Sequence, residues 1–568
     1  MPQAPTQTAP QKAAVAPDLF ARLRLPQPSL DVLTCACANE NQLHDWLAKQ
    51  GLHPYQPAHQ LRLAGLLVSL AGEIARWHNS GQQRLAMLEV VREYALACVD
   101  GIALRRGDQP KGRAQVPQIA VRAAMRLLQQ LALAYGALAG QLRQESGLLA
   151  RRRNACALQR AVDAYRRLLQ LGPLFALATP RDTWRNLQLL VQVARAQKLE
   201  TRAVRDRHHP QRRDRVANAY MQVALFAAAN PGQLGSSEQQ QLWSLTFEWA
   251  GVTAIVDSYK SRSESLLASL ASDRAPIPGN RIENCRLDPR LYTAPLGWKI
   301  DLKRLLARLA RRSKRADEHL IRRVYRGWSY RGGRLDRRVP SRQRCQVLTG
   351  MGAICHHLDS GAPLDQAVIE GFCGASVGGR GAVGTELRPQ GIELGGVLPT
   401  APSLGLDGKG AMGAQKYRAV EAAVADVSRG GMGLRLPKEL AEKVRVGELL
   451  AVRLADRWQL AVIRWQCQLQ DCVRAGVEFV ASEALAVRVQ RHTAEGRLSA
   501  PISGLLLRRR GDAKQAGAAP AGPVVFALPQ PLFKSGDSVE LVSKAEKRSL
   551  RLGSQVESGS GFACFEFV

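Results

Sequence analysis

The sequence predicts an α+β multidomain protein, with an all-α helical repeat-like or bundle region on the N-terminal side and antiparallel β-structure on the C-terminal side. Three observations carry this expectation. The chain has 568 residues, and at roughly 100–200 residues per domain it holds several cores. Between Asp18 and Ser272 apolar residues recur at three- and four-residue steps, the period of a helix face. After Tyr417 the period falls to two, with short apolar runs set between turns, the pattern of strands.

Taken in order, residues 1–17 are rich in Pro, Gln, Thr and Ala with one Lys, and read as a disordered tail without the apolar core of a signal peptide. Region 18–272 is the helical domain. Helices are expected over Leu85–Tyr94, Val121–Leu138, Ala157–Leu171, Trp184–Val193 and Val216–Ala228. Breakers fall between them at Asn79-Ser-Gly81, Gly107 to Gly112, Pro180, His209-Pro210 and Asn230-Pro-Gly232. No fixed repeat period is evident, so the region is expected to serve as a scaffold that docks a protein partner.

Charge narrows the partners. The chain carries 80 Lys+Arg against 48 Asp+Glu, a net +32. Such a balance implies a polyanionic partner: nucleic acid, nucleotide or an acidic membrane surface. The charge is concentrated, because residues 301–350 hold 16 Lys+Arg and 4 Asp+Glu, a net +12. Region 273–344 is therefore expected as a basic, arginine-rich connector. Lys303 to Ala316 fits an amphipathic helix with Leu305, Leu306 and Leu309 on one face. Tyr325, Trp328 and Tyr330 are interleaved with arginines, which suits base stacking, although a charge run is more often a solvated face. No stretch approaches the ~20 apolar residues of a spanning helix; the most apolar, Ala64 to Gly72, stops at Glu73. The 11 cysteines are odd in number and scattered, as in a cytosolic protein with reduced thiols.

Region 345–414 begins with the strand-like Cys345-Gln-Val-Leu348 and continues into 13 glycines in the 43 positions 371–413. That density reads as a flexible insertion, since no GxxxxGK[ST] phosphate loop is present. Cys345, Cys355-His-His357 and Cys373 are metal-ligand types without a CxxC or HxxxH unit, and adjacent histidines on a strand would face opposite sides. No metal is expected. Strands are expected over Ala422–Leu436, Leu449–Leu454, Gln459–Trp465 and Arg474–Val480. Region 496–568 is a C-terminal linker and β segment, with strands at Val524–Leu528, Ser538–Val542, Leu550–Gly553 and Ala563–Val568 after a disordered connection, Gly511 to Gly522. No nucleophile elbow, HExxH, Walker loop or Rossmann fingerprint occurs, so the chain is not expected to be an enzyme.

One motif carries a chemical argument. Asp426-Val-Ser428-Arg-Gly-Gly431 sits between strands, followed by Ala461-Val-Ile-Arg-Trp465 and Gly476-Val-Glu-Phe479. By itself the hexapeptide is an ordinary polar turn. The three elements together, over residues 415–495, resemble the PilZ domain, a six-stranded barrel that binds cyclic di-GMP in bacteria. The resemblance implies a ligand site at Asp426, Ser428 and Gly431. The residue types suit it: a carboxylate accepts the two N–H groups of a guanine edge, a hydroxyl reaches phosphate, and Gly430 and Gly431 are expected to give close approach and positive φ. The resemblance also implies an RxxxR pair just before the barrel, and Arg338-Val-Pro-Ser-Arg342 has that spacing. Arg342 lies 84 residues before Asp426, further than the family pattern places it. Either the Gly-rich stretch loops out between them, or the barrel is degenerate and contacts proteins. The expectation is a non-enzymatic, cytoplasmic bacterial cyclic di-GMP receptor without cofactor, in which ligand binding alters how the helical region meets a protein partner. The alternatives are a PilZ-like scaffold that binds no nucleotide, and a nucleic-acid-binding protein using residues 301–344.

Overall fold

The computed structural model describes residues 19–105, 117–206, 213–256, 264–281, 288–292, 296–312, 319–329, 338–358, 417–440, 444–454, 457–469, 471–492, 498–509, 523–542, 548–559 and 561–567. The expected tail 1–17, the Gly-rich stretch 371–413 with Cys373, the connection 511–522 and Tyr330 lie outside them. The chain forms two compact units, residues 1–175, 179–231 and 236–333 in the first, and 176–178, 232–235 and 334–568 in the second.

The first unit is built on α1 (Glu40–Lys49), α2 (Pro57–Arg76), α3 (Gly81–Leu104), α4 (Gln118–Leu142), α5 (Leu148–Leu174), α6 (Thr183–Ala196), α7 (Val216–Ala228) and α8 (Ser236–Ala250). Side chains start the helices where the sequence offers them. Asn39 accepts from the Gln42 amide at 3.0 Å, and Ser80 from the Gln83 amide at 3.2 Å. The apolar stripes bury Leu127, Leu128, Leu131 and Leu138 of α4 and Leu158, Val162, Leu168 and Leu169 of α5, all at most 5% exposed, and the two helices pack on each other. A short hairpin, β1 (Val204–Arg205) and β2 (Arg213–Asp214), joins α6 to α7.

A polar network runs through this core. Asp163, 3% exposed, receives Arg92 at 3.1 Å, Arg167 at 3.3 Å and Arg166. Arg92 also binds Asp206 at 2.7 Å, and Arg166 binds Asp214 at 2.8 Å, so two arginines grip both ends of the β1–β2 segment. Glu89 accepts from Arg160 at 2.9 Å and from the Tyr135 hydroxyl at 2.8 Å. Burial alone would raise both carboxyls. Arg160, Arg92 and Tyr135 outweigh it for Glu89, and Arg166, Arg167 and Arg92 outweigh it for Asp163, holding both below the ordinary carboxylate range. Folded pKa values below the unfolded ones, about 3.9–4.3, give stability that is present above that range and lost as pH falls through the folded values. The helical far-UV signal is therefore expected to survive acidification to about pH 4 and to fail below it. Loss of helix already at about pH 6 would contradict this reading of the network.

The expected boundary at 272/273 is not one. The Asp273 carboxylate caps α6 by accepting from the amides of Trp184 at 2.8 Å and Arg185 at 3.1 Å, and Gln188 donates to the Arg274 carbonyl at 3.0 Å. Nor is the first unit all helical. After α8 come β3 (Ala254–Val256), β4 (Ser265–Ser269), β5 (Ile277–Pro278) and β6 (Gly297–Asp301), in the order β3-β6-β4-β5. The expected connector is likewise folded here, as α9 (Lys303–Arg312) and α10 (His319–Ser329). α9 buries Leu305, Leu306 and Leu309. Trp328 of α10 is buried edge-on against Trp249 with centroids 5.7 Å apart, and Arg323 pairs with Glu238 at 3.1 Å. Trp328 is thus a core residue, which removes it from any stacking surface. Among the described residues no helix is long and apolar enough to cross a membrane.

The second unit contains two closed barrels. β7 (Val339–Pro340) and β8 (Arg344–Thr349) lead through α11 (Met351–Leu358) to β9 (Val420–Ser428), β10 (Gly431–Pro437), β11 (Leu449–Leu454), β12 (Arg457–Gln468) and β13 (Cys472–Phe479). β14 (Ala481–Arg491), β15 (Ile502–Arg509), β16 (Val524–Pro529), β17 (Ser538–Leu541), β18 (Arg548–Ser558) and β19 (Phe562–Phe567) follow. The ring β8-β9-β10-β13-β12-β11 closes through β11–β8, and the ring β14-β15-β16-β19-β18-β17 closes through β17–β14. Numbered within each barrel, both read 1-2-3-6-5-4, with every pairing antiparallel. The fold is used twice.

Sheet pairing moves the expected barrel span of 415–495. β8 is the first strand of the first barrel, and β14 belongs to the second. The stretch 359–416 therefore falls between the first strand's helix and the second strand, inside the barrel's sequence. Strand alternation sorts side chains between two cores. Leu450, Val452 and Ile463 fill the first barrel, while Leu449, Ala451, Leu460 and Val462 join Ala484, Leu505, Ala527 and Phe562 in an apolar seam between the barrels. Burial on both faces explains why these strands read as continuous apolar runs. α11 lies in that seam through Ile354 and Cys355. His356 and His357 sit on this helix and not on a strand, with His357 Nε2 2.7 Å from the Tyr417 carbonyl. Cys345 points into the first barrel while Cys355 lies in the seam, so the two do not converge. No His/Cys/Asp/Glu group able to hold a metal occurs among the described residues.

Candidate functional site

The β9–β10 hairpin turns at Ser428-Arg-Gly-Gly431, and the Ser428 hydroxyl donates to the Gly431 carbonyl at 3.1 Å. The opposite edge of β9 holds two partners in succession. β8 pairs along Val420–Ala423, and β7 pairs Val339 with Val427 and Pro340 with Asp426. Between them the Ser341 amide donates to Ala425 at 3.1 Å. The RxxxR segment is thus laid along the motif strand, directly ahead of the barrel's first strand. Its distance from Asp426 in sequence comes from the stretch inserted after α11.

This pairing brings Arg338 to Asp426, whose carboxylate accepts from the Arg338 guanidinium; the two side chains are 26% and 25% exposed. Arg342 is exposed. An open cleft of about 280 Å³ lies beside the turn, walled by Arg338, Ser428, Gly431, Arg464, Trp465 and Glu478. Arg338, Ser428 and Gly431 therefore share one cleft, while Asp426, paired to Arg338, and Arg342 are not part of its wall.

The glycines act by close approach. Neither Gly430 nor Gly431 has positive φ, contrary to the expectation from the turn. A Cβ on Gly431 would stand 2.1 Å from the Val477 carbonyl oxygen, because β10 and β13 pass tightly there. A Cβ on Gly433 would stand 2.9 Å from the Asp426 carboxylate. A Cβ on Gly476 would stand 1.9 Å from Trp465 Nε1, so the indole lies over that glycine on the barrel wall. Gly476→Ala is expected to cost about 1–3 kcal/mol by overpacking. Urea denaturation checks this, with the Gly476→Ala/Trp465→Ala double variant costing less than the sum of the singles because the clash is gone.

Sequence reasoning missed Gly433, Arg464 and Glu478. A Gly-x-Gly immediately after the motif was a usable signal for the first. Arg464 and Glu478 lie on strands whose register no local pattern fixes.

An antiparallel barrel whose glycine-lined hairpin brings Arg338 and Ser428 to one open cleft, with Arg464 on the adjoining strand, offers donors chemically suited to an anionic ligand. Residues 407–485 match the family model described as "Cyclic-di-GMP receptor FimW, middle PilZ domain", and residues 41–258 the one described as "Cyclic-di-GMP receptor FimW, N-terminal domain". The chain carries a PilZ domain and the N-terminal domain of the same receptor family, and by this domain content it is of the non-enzymatic cyclic di-GMP receptor class. The PilZ match stops short of β8, which the pairing places in the barrel. No curated protein and no solved structure matches the chain.

Proposed function

We propose that the chain is a cytoplasmic receptor that binds cyclic di-GMP in the cleft beside the β9–β10 turn and passes occupancy to a protein partner of its helical region. The observation that supports it is that Arg338 and Ser428 wall one open cleft while Asp426 is ion-paired to Arg338. Asp426 accepts the two N–H groups of a guanine edge, and Arg338 and Arg342 supply forks for O6, N7 and phosphate. Ser428 and the Gly431 backbone hold the opposite side, and Trp465 offers a stacking wall. Asp426 and Arg338 satisfy each other, so recognition exchanges their mutual pair for contacts to the ligand. Arg342 closes over the nucleotide with the 338–343 segment. That closure shifts the chain between arrangements only by the ligand's differential affinity for them.

The nucleic-acid alternative loses one of its three candidate stacking residues, since Trp328 is core. Calorimetric titration of the full chain with cyclic di-GMP and, separately, with duplex DNA tests the proposal. Micromolar or tighter binding of the dinucleotide that Arg342→Ala weakens supports it. DNA binding with a steep salt dependence and no heat from cyclic di-GMP would overturn it.

A further inference from the structure

Arg464 is poised between the cleft and the second barrel. It stands on β12 next to Trp465 and walls the cleft. Its Nε donates to Glu478 Oε2 at 2.5 Å, and its Nη2 donates to Glu557 Oε1 at 2.7 Å. Glu478 is on the first barrel and also faces the cleft. Glu557 is on β18 of the second barrel and is 15% exposed. One guanidinium thus ties the cleft wall to the neighbouring barrel.

The charges around it are suited to exchange. A cyclic dinucleotide brings two phosphate charges into a cleft that holds the Glu478 carboxylate, and a guanidinium on that same wall is placed to offset their repulsion. Arg464 can keep its Nε bond to Glu478 while its outer N–H groups turn from Glu557 to a phosphate. The carboxylate left behind keeps a cation, because Arg509 Nη2 stands 3.8 Å from Glu557 Oε2. One charge-assisted bond replaces another, and the half-buried acid retains a partner.

Resting on the site assignment above, we propose that Arg464 is a third arginine of the nucleotide site and a latch. It binds a ligand phosphate by giving up Glu557, so occupancy of the first barrel releases a tie to the second. The two barrels share one topology and one apolar seam. A loosened Arg464–Glu557 tie is therefore felt at the β18 end of the second barrel.

The test is a calorimetric cycle with cyclic di-GMP on the full chain: wild type, Arg464→Gln, Arg464→Lys, Glu557→Gln and the Arg464→Gln/Glu557→Gln double variant. Arg464→Gln is expected to weaken binding at least about tenfold, the worth of one charge-assisted hydrogen bond. Arg464→Lys keeps charge without the fork and falls between. Glu557→Gln is expected to bind tighter than wild type, since the competitor for Arg464 is gone. That gain should vanish in the double variant. A gain in affinity cannot arise from misfolding, which separates the latch from a merely structural ion pair. Wild-type binding with Arg464→Gln unchanged, or with Glu557→Gln weakened, overturns this inference alone. Absence of wild-type binding overturns the site assignment and the latch together.

Discussion

Replacing Arg338 by alanine is expected to weaken cyclic di-GMP binding by about 10- to 150-fold, the equivalent of about 1.5–3 kcal/mol for a hydrogen bond to a charged group. The loss has two sources. The fork that would meet the ligand is gone, and the Asp426 carboxylate loses the guanidinium that orients it toward the guanine edge. Asp426→Asn in the same chain should not restore binding, because the carboxylate is the acceptor for the guanine edge, and since the two side chains pair with each other the two positions are expected to be non-additive. Stability should hardly move. Both side chains are about a quarter exposed, and such pairs contribute about 0–1 kcal/mol. Calorimetry beside thermal denaturation separates the two effects. An Arg338→Ala chain that binds like wild type contradicts the role given to the pair.

Replacing Asp163 by alanine should have the largest effect on the first unit. Three guanidinium groups, from Arg92, Arg166 and Arg167, converge on this one buried carboxylate. Removing it leaves buried cations without their anion, a change that costs about 3–5 kcal/mol. That is a large part of the 5–15 kcal/mol, roughly, that holds a domain folded. The effect should spread to the β1–β2 segment, because Arg92 and Arg166 also hold Asp206 and Asp214. Far-UV circular dichroism during urea unfolding reports mainly on this unit, which holds α1 to α10. A shift under about 1 kcal/mol would show that the network is relieved by water and is not a buried ionic core.

Local pattern made much of the fold legible. The helix expected over Val216–Ala228 and the strand expected over Leu449–Leu454 have the bounds of α7 and β11, because each buries a stripe or face that a short window reveals. The motif at Asp426 and the downstream Gly476-Val-Glu-Phe479 were enough to find the hairpin and its partner strand. What stayed hidden depends on pairing across long separations. β8 joins β9 across the inserted stretch, so the barrel's first strand looked like part of another segment. The second barrel appeared as loose strands because β14–β17 and β16–β19 are non-local pairs. The helix–sheet boundary after α8 was missed because β3 and β5 are three and two residues long, too short to show a period. Charge misled in one place: the arginines of α9 and α10 suggested a connector, while the leucines between them anchor both helices. The Arg464–Glu557 tie joins residues 93 apart, and neither position carries a sequence signal.

Hydrogen exchange of the full chain with and without cyclic di-GMP tests the site most directly, because it reports where the ligand acts. The amides of residues 338–343 and 424–433 are expected to gain protection together, as the arginine segment closes on the motif strand and its turn. The corresponding strands of the second barrel, β15 and β16, should stay unchanged. Binding that leaves 338–343 and 424–433 unprotected, or that protects α9 and α10 instead, would contradict the assignment of the site to this hairpin.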